Sequence, residues 1–431
     1  MFLRQIKKIM SETENKKLLS NFFSLSILQI FIYALPLILI PYLLKVLGTE
    51  KFGLVMFAHA FNLYFFILID FGFNNSATKD ISIHRENTKK VREIFSSVLL
   101  IKITLILFTC LITFIIINSF DKFSKNSQLF YFSIIQSIGQ GLLPIWYFQG
   151  LEKMNYVTII NVCSRVFFTI LILFFVKEEK DYLLVPLLNG SGMLAGCLIS
   201  YFIIFKKFRQ KLMFPELDAI RTYFFSASHF FLSRASDTLY TSSNSFILGL
   251  FTNNSNVAYY SIAEKLYQAS YELYQPIAKV FYPYVAKSRN IFKFRKIFLL
   301  TLLFNFFFVC FAYIIAPNLV EFLSGQMFSE SIEAYRIFLV ILIFVIPSSL
   351  TGFPLVGALG HQGYANYSVV VGSCLHCLIL LCLALSHQVS IRTVLFSVLF
   401  AEIIVLFIRF YAIWKFDLFK INQRKNILPI N

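Results

Sequence analysis

Polar side chains recur at helical spacing in one apolar stretch of the chain, 257–285. They are Glu264, Gln268, Glu272, Gln275 and Lys279. At 100° per residue, these positions fall within a sector of about 80° on a helix. A charge that faces lipid at mid-depth costs about 3 kcal/mol or more, so this face must contact protein or water. Carboxylates, amides and an ammonium group on one face can bind a polar solute and exchange protons.

A second polar face is predicted on the stretch 224–250. Its members fall within a sector of about 60° and are Ser226, Ser233, Asp237, Tyr240 and Asn244. Arg234 lies beside this face, where it could pair with Asp237. The stretch 53–70 likewise places His59, Asn62 and Asp70 on one side. The pattern favours the walls of a polar cavity, although isolated polar residues can also act only as contacts between membrane helices.

The ionisable residues within apolar stretches carry both signs of charge. The deep cations are Lys102, Arg165, Arg234, Lys265 and Lys279, and the anions are Asp70, Asp237, Glu264, Glu272 and Glu402. Such a mixture suits an aqueous cavity that attracts an anionic substrate. We expect ion coupling to involve Asp70, Asp237, Glu264, Glu272 and His59, whose protonation can depend on their surroundings, although a packing role fits His59 equally well. Arg336 and Arg409 lie near the ends of their stretches and are predicted to extend to the membrane surface.

These residues are carried by twelve apolar stretches, each close to the roughly 20 residues that a membrane helix requires. The predicted spans are 22–44, 53–70, 94–117, 129–148, 157–176, 183–205, 224–250, 257–285, 297–316, 334–355, 366–385 and 391–412. The chain is 58% hydrophobic and contains 53 Phe. We therefore predict an all-α polytopic membrane protein, with about 12 transmembrane helices in two six-helix bundles around a central cavity.

The predicted organisation divides the chain in two. An N-terminal bundle over 1–205 is followed by a basic cytoplasmic linker over 206–223, a C-terminal bundle over 224–412 and a cytoplasmic tail over 413–431. Residues 52–59 and 257–264 show a weak similarity, and each segment opens a span after a short loop. This similarity suggests parallel repeats, but coincidence explains it equally well.

Lys and Arg residues are distributed unequally between the two sets of loops. They cluster before the first span, after spans 2, 6 and 8, and in the tail; the opposite loops hold Lys45, Lys51, Lys122, Lys125, Lys177, Lys180 and Arg392. Because cytoplasmic loops collect these residues, both termini are predicted to be cytoplasmic. The net charge of +17 then indicates contact with anionic membrane lipids rather than with nucleic acid.

Several classes of chemistry are disfavoured by the sequence. All seven Cys lie within predicted spans, which argues against a disulfide framework. Cys374, His376 and Cys377 have a metal-like spacing, but they lie on an apolar helix without a second ligand pair, so packing is favoured. There is no phosphate-binding loop of the G-x-x-x-x-G-K-[ST] type, and we expect no metal or cofactor. The first apolar run is too long for a cleavable signal peptide.

Five segments of the chain are similar to a known family. They are 47–53 (LGTEKFG), 70–79 (DFGFNNSATK), 258–265 (AYYSIAEK), Pro276 and 282–284 (YPY). Together with the length and span count, they resemble bacterial O-antigen repeat-unit flippases of the Wzx type. The resemblance implies the two-lobed fold of the multidrug/oligosaccharidyl-lipid/polysaccharide exporter superfamily. It also implies a transporter rather than an enzyme.

The substrate implied by this resemblance is an undecaprenyl-pyrophosphate-linked oligosaccharide, moved from the cytoplasmic to the periplasmic leaflet of the inner membrane. The implied mechanism is alternating access with ion antiport, and a polysaccharide polymerase and a chain-length regulator are candidate partners. Pyrophosphate would be attracted by Lys279, Arg234, Arg165 and Lys265. The sugars would bind Gln268, Tyr271, Gln275 and Asn244.

Three other functions fit the sequence less well. An intramembrane polysaccharide polymerase or ligase typically has a large periplasmic loop, whereas the longest outward loop here is 317–333. A drug or cation antiporter of the same superfamily would favour an acidic, aromatic cavity, whereas the deep charge here has a slight basic excess. A lipid II flippase usually has additional spans.

Overall fold

The computed structural model describes the backbone of residues 13–419 and, from Leu28 onward, all side chains except those at positions 30, 33, 233, 236, 237 and 239–242. The predictions for Ser233, Asp237 and Tyr240 concern side chains outside this set. Within the described residues, the regular secondary structure is entirely helical.

The helices follow one another with short connections. Up to Lys206 they are α1 (Thr13–Asp70), α2 (Phe73–His84), α3 (Thr88–Ser119), α4 (Asp121–Ser124), α5 (Ser127–Leu142), α6 (Ile145–Gly150), α7 (Met154–Phe175), a 3₁₀ helix (Glu179–Leu183) and α8 (Leu184–Lys206). The remainder comprises α9 (Leu217–Phe251), α10 (Asn254–Glu272), α11 (Gln275–Ser288), α12 (Ile291–Ser324), α13 (Ser329–Thr351), a π-helix (Gly352–Gly357), α14 (Gln362–Leu385) and α15 (Ile391–Lys415).

Nine helical segments of the described chain are long and apolar enough to cross a membrane. The first, Ala34–His84, contains the predicted second span. The predicted spans 224–250 and 257–285 are not among the nine found in the described residues. The all-α polytopic class is confirmed, and the prediction of about twelve spans is consistent with these helices.

Helix α1 carries two predicted spans and changes direction between them. Gly48 has non-helical dihedral angles of φ 68° and ψ 172°, which separate 13–47 from 49–70. A positive φ is accessible to glycine because it has no Cβ atom. The predicted loop between the first two spans is therefore reduced to one residue with non-helical dihedral angles.

The chain divides into two compact units, Met1–Thr238 and Leu239–Asn431. In the N-terminal unit, an aromatic core surrounds the fully buried Trp146, Phe73 and Phe95. Helices α5 and α8 approach closely, because Gly139 faces Met193 and a Cβ atom at Gly139 would lie 2.8 Å from the Leu194 nitrogen. Small residues permit such close packing of membrane helices.

Two predicted spans are interrupted by proline. The predicted span 129–148 is divided at Leu143 and Pro144 into α5 and α6. The predicted span 257–285 is divided after Glu272, and α11 begins at Gln275 with Pro276 in its first turn. Proline lacks an N–H group and its ring clashes with the preceding turn, so a helix ends before it. The single continuous polar face predicted for 257–285 is therefore wrong beyond Glu272: Gln275 and Lys279 belong to another helix.

The C-terminal unit also corrects the prediction for Arg409. Its side chain does not extend to the membrane surface but is only 7% exposed. The guanidinium group donates to the Ser368 hydroxyl at 2.9 Å and to the Ser348 carbonyl and hydroxyl oxygens. The interior supplies acceptors beside the π-helix, so burial of this cation does not leave it without partners.

Candidate functional site

A buried ion pair lies at the end of α1 in the N-terminal unit. Nζ of Lys102, on α3, is 3.5 Å from Oδ1 of Asp70, and both side chains are 1% exposed. The same ammonium group donates to the Gly141 carbonyl oxygen of α5 at 2.7 Å. Three helices therefore meet at one lysine, whose charge is compensated by a carboxylate and a backbone oxygen.

Arg234 on α9 approaches this pair from its accessible side. Its Nε atom is 3.9 Å from Oδ2 of Asp70, and its side chain remains 42% exposed. Two cations thus share one carboxylate, and the cluster of Asp70, Lys102 and Arg234 has a net charge of +1. Because the excess positive charge is on the accessible guanidinium, the cluster can attract an anion.

Lys102 belongs to this cluster, but the sequence placed it only among the deep cations. The sequence indicated a special role for Lys102 only because it is a single lysine in the predicted span 94–117. Its partner could not be identified from the sequence, because Asp70 and Gly141 lie on different helices. The predicted pairing of Arg234 with Asp237 concerns a side chain outside the described set; the structure places Arg234 beside Asp70.

A second polar cluster lies in the C-terminal unit. Nε2 of His376 on α14 is 2.9 Å from Oδ1 of Asn244 on α9, and its Nδ1 is 2.9 Å from the Ser397 hydroxyl on α15. Asn244 is therefore the predicted site residue that these contacts place in the cluster.

His376 is a residue that sequence reasoning undervalued. Its spacing with Cys374 and Cys377 is typical of a metal site, but a packing role was predicted instead. In the structure, the imidazole is fully buried and both ring nitrogens contact polar side chains. A histidine that faces an asparagine across a membrane bundle leaves no local sequence signal.

Helix α10 carries Lys265, Gln268 and Tyr271 of the predicted substrate-binding residues. Nζ of Lys265 donates to Oε1 of Gln268 at 3.0 Å, and the Tyr267 and Tyr271 rings stack with centroids 6.3 Å apart.

The remaining predicted residues are dispersed. Glu272 is half-buried at the end of α10, whereas Lys279 is exposed on α11. His59 is half-buried on α1, and Arg165 is half-buried on α7. The Nε atom of Arg165 has no hydrogen-bond partner among the described residues.

Charged and amide side chains buried within apolar helical bundles define the class of this protein: a polytopic membrane protein with polar sites at membrane depth, as in transporters. Residues 18–289 match the sequence profile described as "Polysaccharide biosynthesis protein". The chain belongs to this family.

Two similar proteins are both named "Putative O-antigen transporter". The one from Escherichia coli (strain K12) is 28% identical over 276 residues, which span 64% of this chain and 66% of that relative. The one from Shigella dysenteriae is 26% identical over 388 residues, which span 88% of this chain and 96% of that relative. The matched residues thus span slightly less than two thirds of the length of the Escherichia coli relative.

Solved structures show the same fold at low sequence identity. An inward-facing multidrug resistance MATE family transporter of the MOP superfamily has a TM-score of 0.71 and 12% identity, with 94% of this chain and 100% of that chain covered. The lipid II flippase MurJ, in an inward closed conformation, has a TM-score of 0.68 and 15% identity, with 94% and 93% covered. These proteins are named for transport or flipping, and the fold expected from the resemblance is confirmed.

Proposed function

We propose that this protein is a flippase that moves lipid-linked repeat units of O-antigen, or of a related surface polysaccharide, across the cytoplasmic membrane. Membership of the polysaccharide biosynthesis family and the names of both relatives support the substrate class. The fold shared with MurJ supports a membrane carrier. In this proposal the protein is a transporter and not an enzyme.

The observation that carries the proposal is the charge of the cluster formed by Asp70, Lys102 and Arg234. Asp70 compensates the fully buried Lys102, and Arg234 presents a partly exposed guanidinium with the excess charge. A pyrophosphate group presents several anionic oxygens that a guanidinium can bind with two parallel hydrogen bonds. The finer substrate proposed is therefore an undecaprenyl-pyrophosphate-linked oligosaccharide.

The other residues proposed to contact the substrate are chosen because their side chains are accessible. Arg165, Lys265 and Lys279 each retain exposed surface and are proposed to attract the anionic group. Gln268, Tyr271 and Gln275 are half-buried and are proposed to contact the sugars. Asn244 is left out of the sugar-binding set because its side chain is buried and hydrogen-bonded to His376.

The proposed mechanism is alternating access coupled to ion antiport, with Asp70, Asp237, Glu264, Glu272 and His59 as the candidate ion-coupling groups. Both termini are proposed to be cytoplasmic. A polysaccharide polymerase and a chain-length regulator would act on the repeat unit after it has crossed the membrane, which makes them the proposed partners.

The test replaces Arg234 in a strain that lacks the chromosomal gene. We expect Arg234→Ala to lower surface polysaccharide about tenfold or more, since a charge-assisted hydrogen bond contributes about 1.5–3 kcal/mol. Arg234→Lys should retain part of the activity. Arg85→Ala is the matched control, because Arg85 forms an exposed ion pair with Glu152 at 2.8 Å in the same unit.

The deletion strain decides between this function and its main alternative. A flippase defect traps single lipid-linked repeat units on the cytoplasmic side, where externally added glycosidase does not reach them. Repeat units that reach the periplasm but stay unpolymerised would instead identify a polymerase. Normal activity of Arg234→Ala at normal membrane levels would contradict the role of the N-terminal cluster.

A further inference from the structure

A cavity of about 690 Å³ lies between α12, α13 and α15 in the C-terminal unit. Helix α12 contributes Tyr313 and Pro317, and α15 contributes Phe396. The lining side chains of α13 recur every three or four residues and therefore share one face of the helix. They are Ser329, Ile332, Glu333, Arg336, Ile337 and Val340. The cavity is separate from both polar clusters described above.

The lining of this cavity changes from polar to apolar along α13. Ser329 and Glu333 lie in the first two turns, and Arg336 follows about 10 Å from the start of the helix. Beyond it the lining consists of apolar side chains such as Val340 and Phe396, and Phe396 is 54% exposed. All three helices are long and apolar enough to cross a membrane. Exposed apolar side chains on such helices are expected to contact acyl chains.

The guanidinium group of Arg336 lines the cavity without a counter-charge. The part of the chain that the structure describes provides no ion pair or hydrogen bond to it, and its Nε atom is inaccessible. Its Cζ atom lies 4.8 Å from the centroid of the Tyr313 ring, a cation–π contact that holds the group at the cavity wall. Donors without acceptors are destabilising, so an acceptor from outside the chain would stabilise this end of the bundle.

The carboxylate that lines the cavity is already paired with another residue. Nη2 of Arg392 donates to Oε2 of Glu333 at 2.6 Å, and Nε of Arg392 contacts Oε1. The Ser329 hydroxyl donates to the exposed Glu330 at 2.9 Å. Glu333, Arg336 and Arg392 together therefore have a net charge of +1, which is carried by the guanidinium of Arg336.

We propose that this cavity binds one anionic phospholipid of the surrounding bilayer, with its phosphodiester at Arg336 and an acyl chain along Val340 and Phe396. A phosphodiester carries a single negative charge and accepts hydrogen bonds from a guanidinium group. A pyrophosphate carries more negative charge and would require a second cation, whereas Arg392 is occupied by Glu333. This lipid site goes beyond the proposed flippase function and does not depend on it.

Quenching of a tryptophan placed in the cavity measures lipid binding at this site in the full-length protein. Phe396→Trp supplies the reporter in a Trp414→Phe background, and the fully buried Trp146 contributes a constant signal. The protein is reconstituted in phosphatidylcholine containing increasing amounts of phosphatidylglycerol with brominated acyl chains, which quench a nearby tryptophan. We expect phosphatidylglycerol to be preferred over phosphatidylcholine roughly fivefold, the upper range for a partly exposed ion pair.

Variants of Arg336 test whether this preference arises from its charge. Arg336→Gln should abolish the preference, and Arg336→Lys should retain most of it. Lys287→Gln is the control, because it removes one positive charge from an exposed position on α11 in the same unit. Equal preferences in folded Arg336→Gln and in the reporter protein would overturn the proposal.

The ion pair of Glu333 with Arg392 provides a second test. Arg392→Gln leaves the Glu333 carboxylate without its partner, so it competes with the phosphate for Arg336 and the preference should fall. Addition of Glu333→Gln to this variant removes the competing charge and should restore the preference. A preference that does not recover in the double variant would contradict the charge balance on which the site depends.

Competition experiments distinguish the phospholipid from other sources of phosphate. Relief of quenching by inorganic phosphate would identify a site for the free ion, and stronger relief by undecaprenyl pyrophosphate than by unlabelled phosphatidylglycerol would identify a substrate site. Either result would overturn the proposal. Because quenching is measured without transport, a missing lipid preference in a protein that restores flipping would reject this inference alone.

Discussion

Asp70 is the residue on which the charge balance of the N-terminal unit depends. It is the carboxylate that faces the buried Lys102 at 3.5 Å, and it also faces Arg234. Removal of one partner from a buried ion pair costs about 3–5 kcal/mol, because the other charge is left uncompensated in the interior. We expect Asp70→Asn to lower the melting temperature in detergent strongly and to reduce the amount of folded protein.

The double variant tests whether the loss of stability arises from the uncompensated buried charge of Lys102. Asp70→Asn combined with Lys102→Met removes both charges, and we expect it to be more stable than Asp70→Asn alone. Glu152→Gln is the control in the exposed pair with Arg85 and should change stability by less than about 1 kcal/mol. A double variant that is no more stable than the single variant would contradict coupling between the two charges.

The contact between Asn244 and His376 could not be predicted from the spacing of residues along one helix. The polar face over Glu264 and Gln268 was visible from helical spacing alone, since both lie on the uninterrupted α10. The contact of Asn244 with His376 joins positions 132 residues apart. No periodicity within one helix encodes such a pair, because it depends on how α9 and α14 pack.

At the scale of elements, helices were predictable wherever apolar residues continued, and their interruptions were not. Pro276 lies within the predicted span 257–285, and the predicted polar face continues through it. The structure ends α10 at Glu272, so the angular position of Lys279 relative to Glu264 cannot be calculated from residue spacing. Gly48 similarly interrupts α1 by adopting a positive φ. The sequence alone does not show which glycines adopt this conformation.

The turn between α1 and α2 depends on the glycine at its centre. Gly72 has φ 79°, and a Cβ atom there would lie 2.7 Å from the Phe230 Cβ and the Phe231 nitrogen of α9. We expect Gly72→Ala to be destabilised by about 2 kcal/mol or more, through backbone strain and overpacking together. Thermal unfolding of purified protein measures this loss.

Gly325 offers a matched control for the backbone contribution. Its φ is 71°, but a Cβ atom at this position would meet no atom within 4 Å. Gly325→Ala therefore introduces the strain without the steric clash, at a cost of about 1 kcal/mol. Equal melting temperatures for the two alanine variants would show that the contact of Gly72 with α9 contributes nothing to stability.

At the scale of the whole molecule, the distribution of Lys and Arg predicts which loops face the cytoplasm, and the fold alone does not determine this orientation. Lys and Arg collect in alternate loops, so one set of loops is expected to face the cytoplasm. In a variant without native cysteines, single cysteines would replace Asn253, Gln326, Lys89 or Lys293, all exposed. A membrane-impermeant maleimide added to intact spheroplasts should label the first two positions and leave the last two unlabelled.

Lysed membranes serve as the control in this experiment, since all four positions should then react. The orientation matters for mechanism because a substrate loaded from the cytoplasm must first meet groups that open to that side. Labelling of position 89 in intact spheroplasts would place the loop between α2 and α3 outside. It would reverse the direction of transport proposed for the carrier and require the lipid-linked substrate to enter from the periplasmic leaflet.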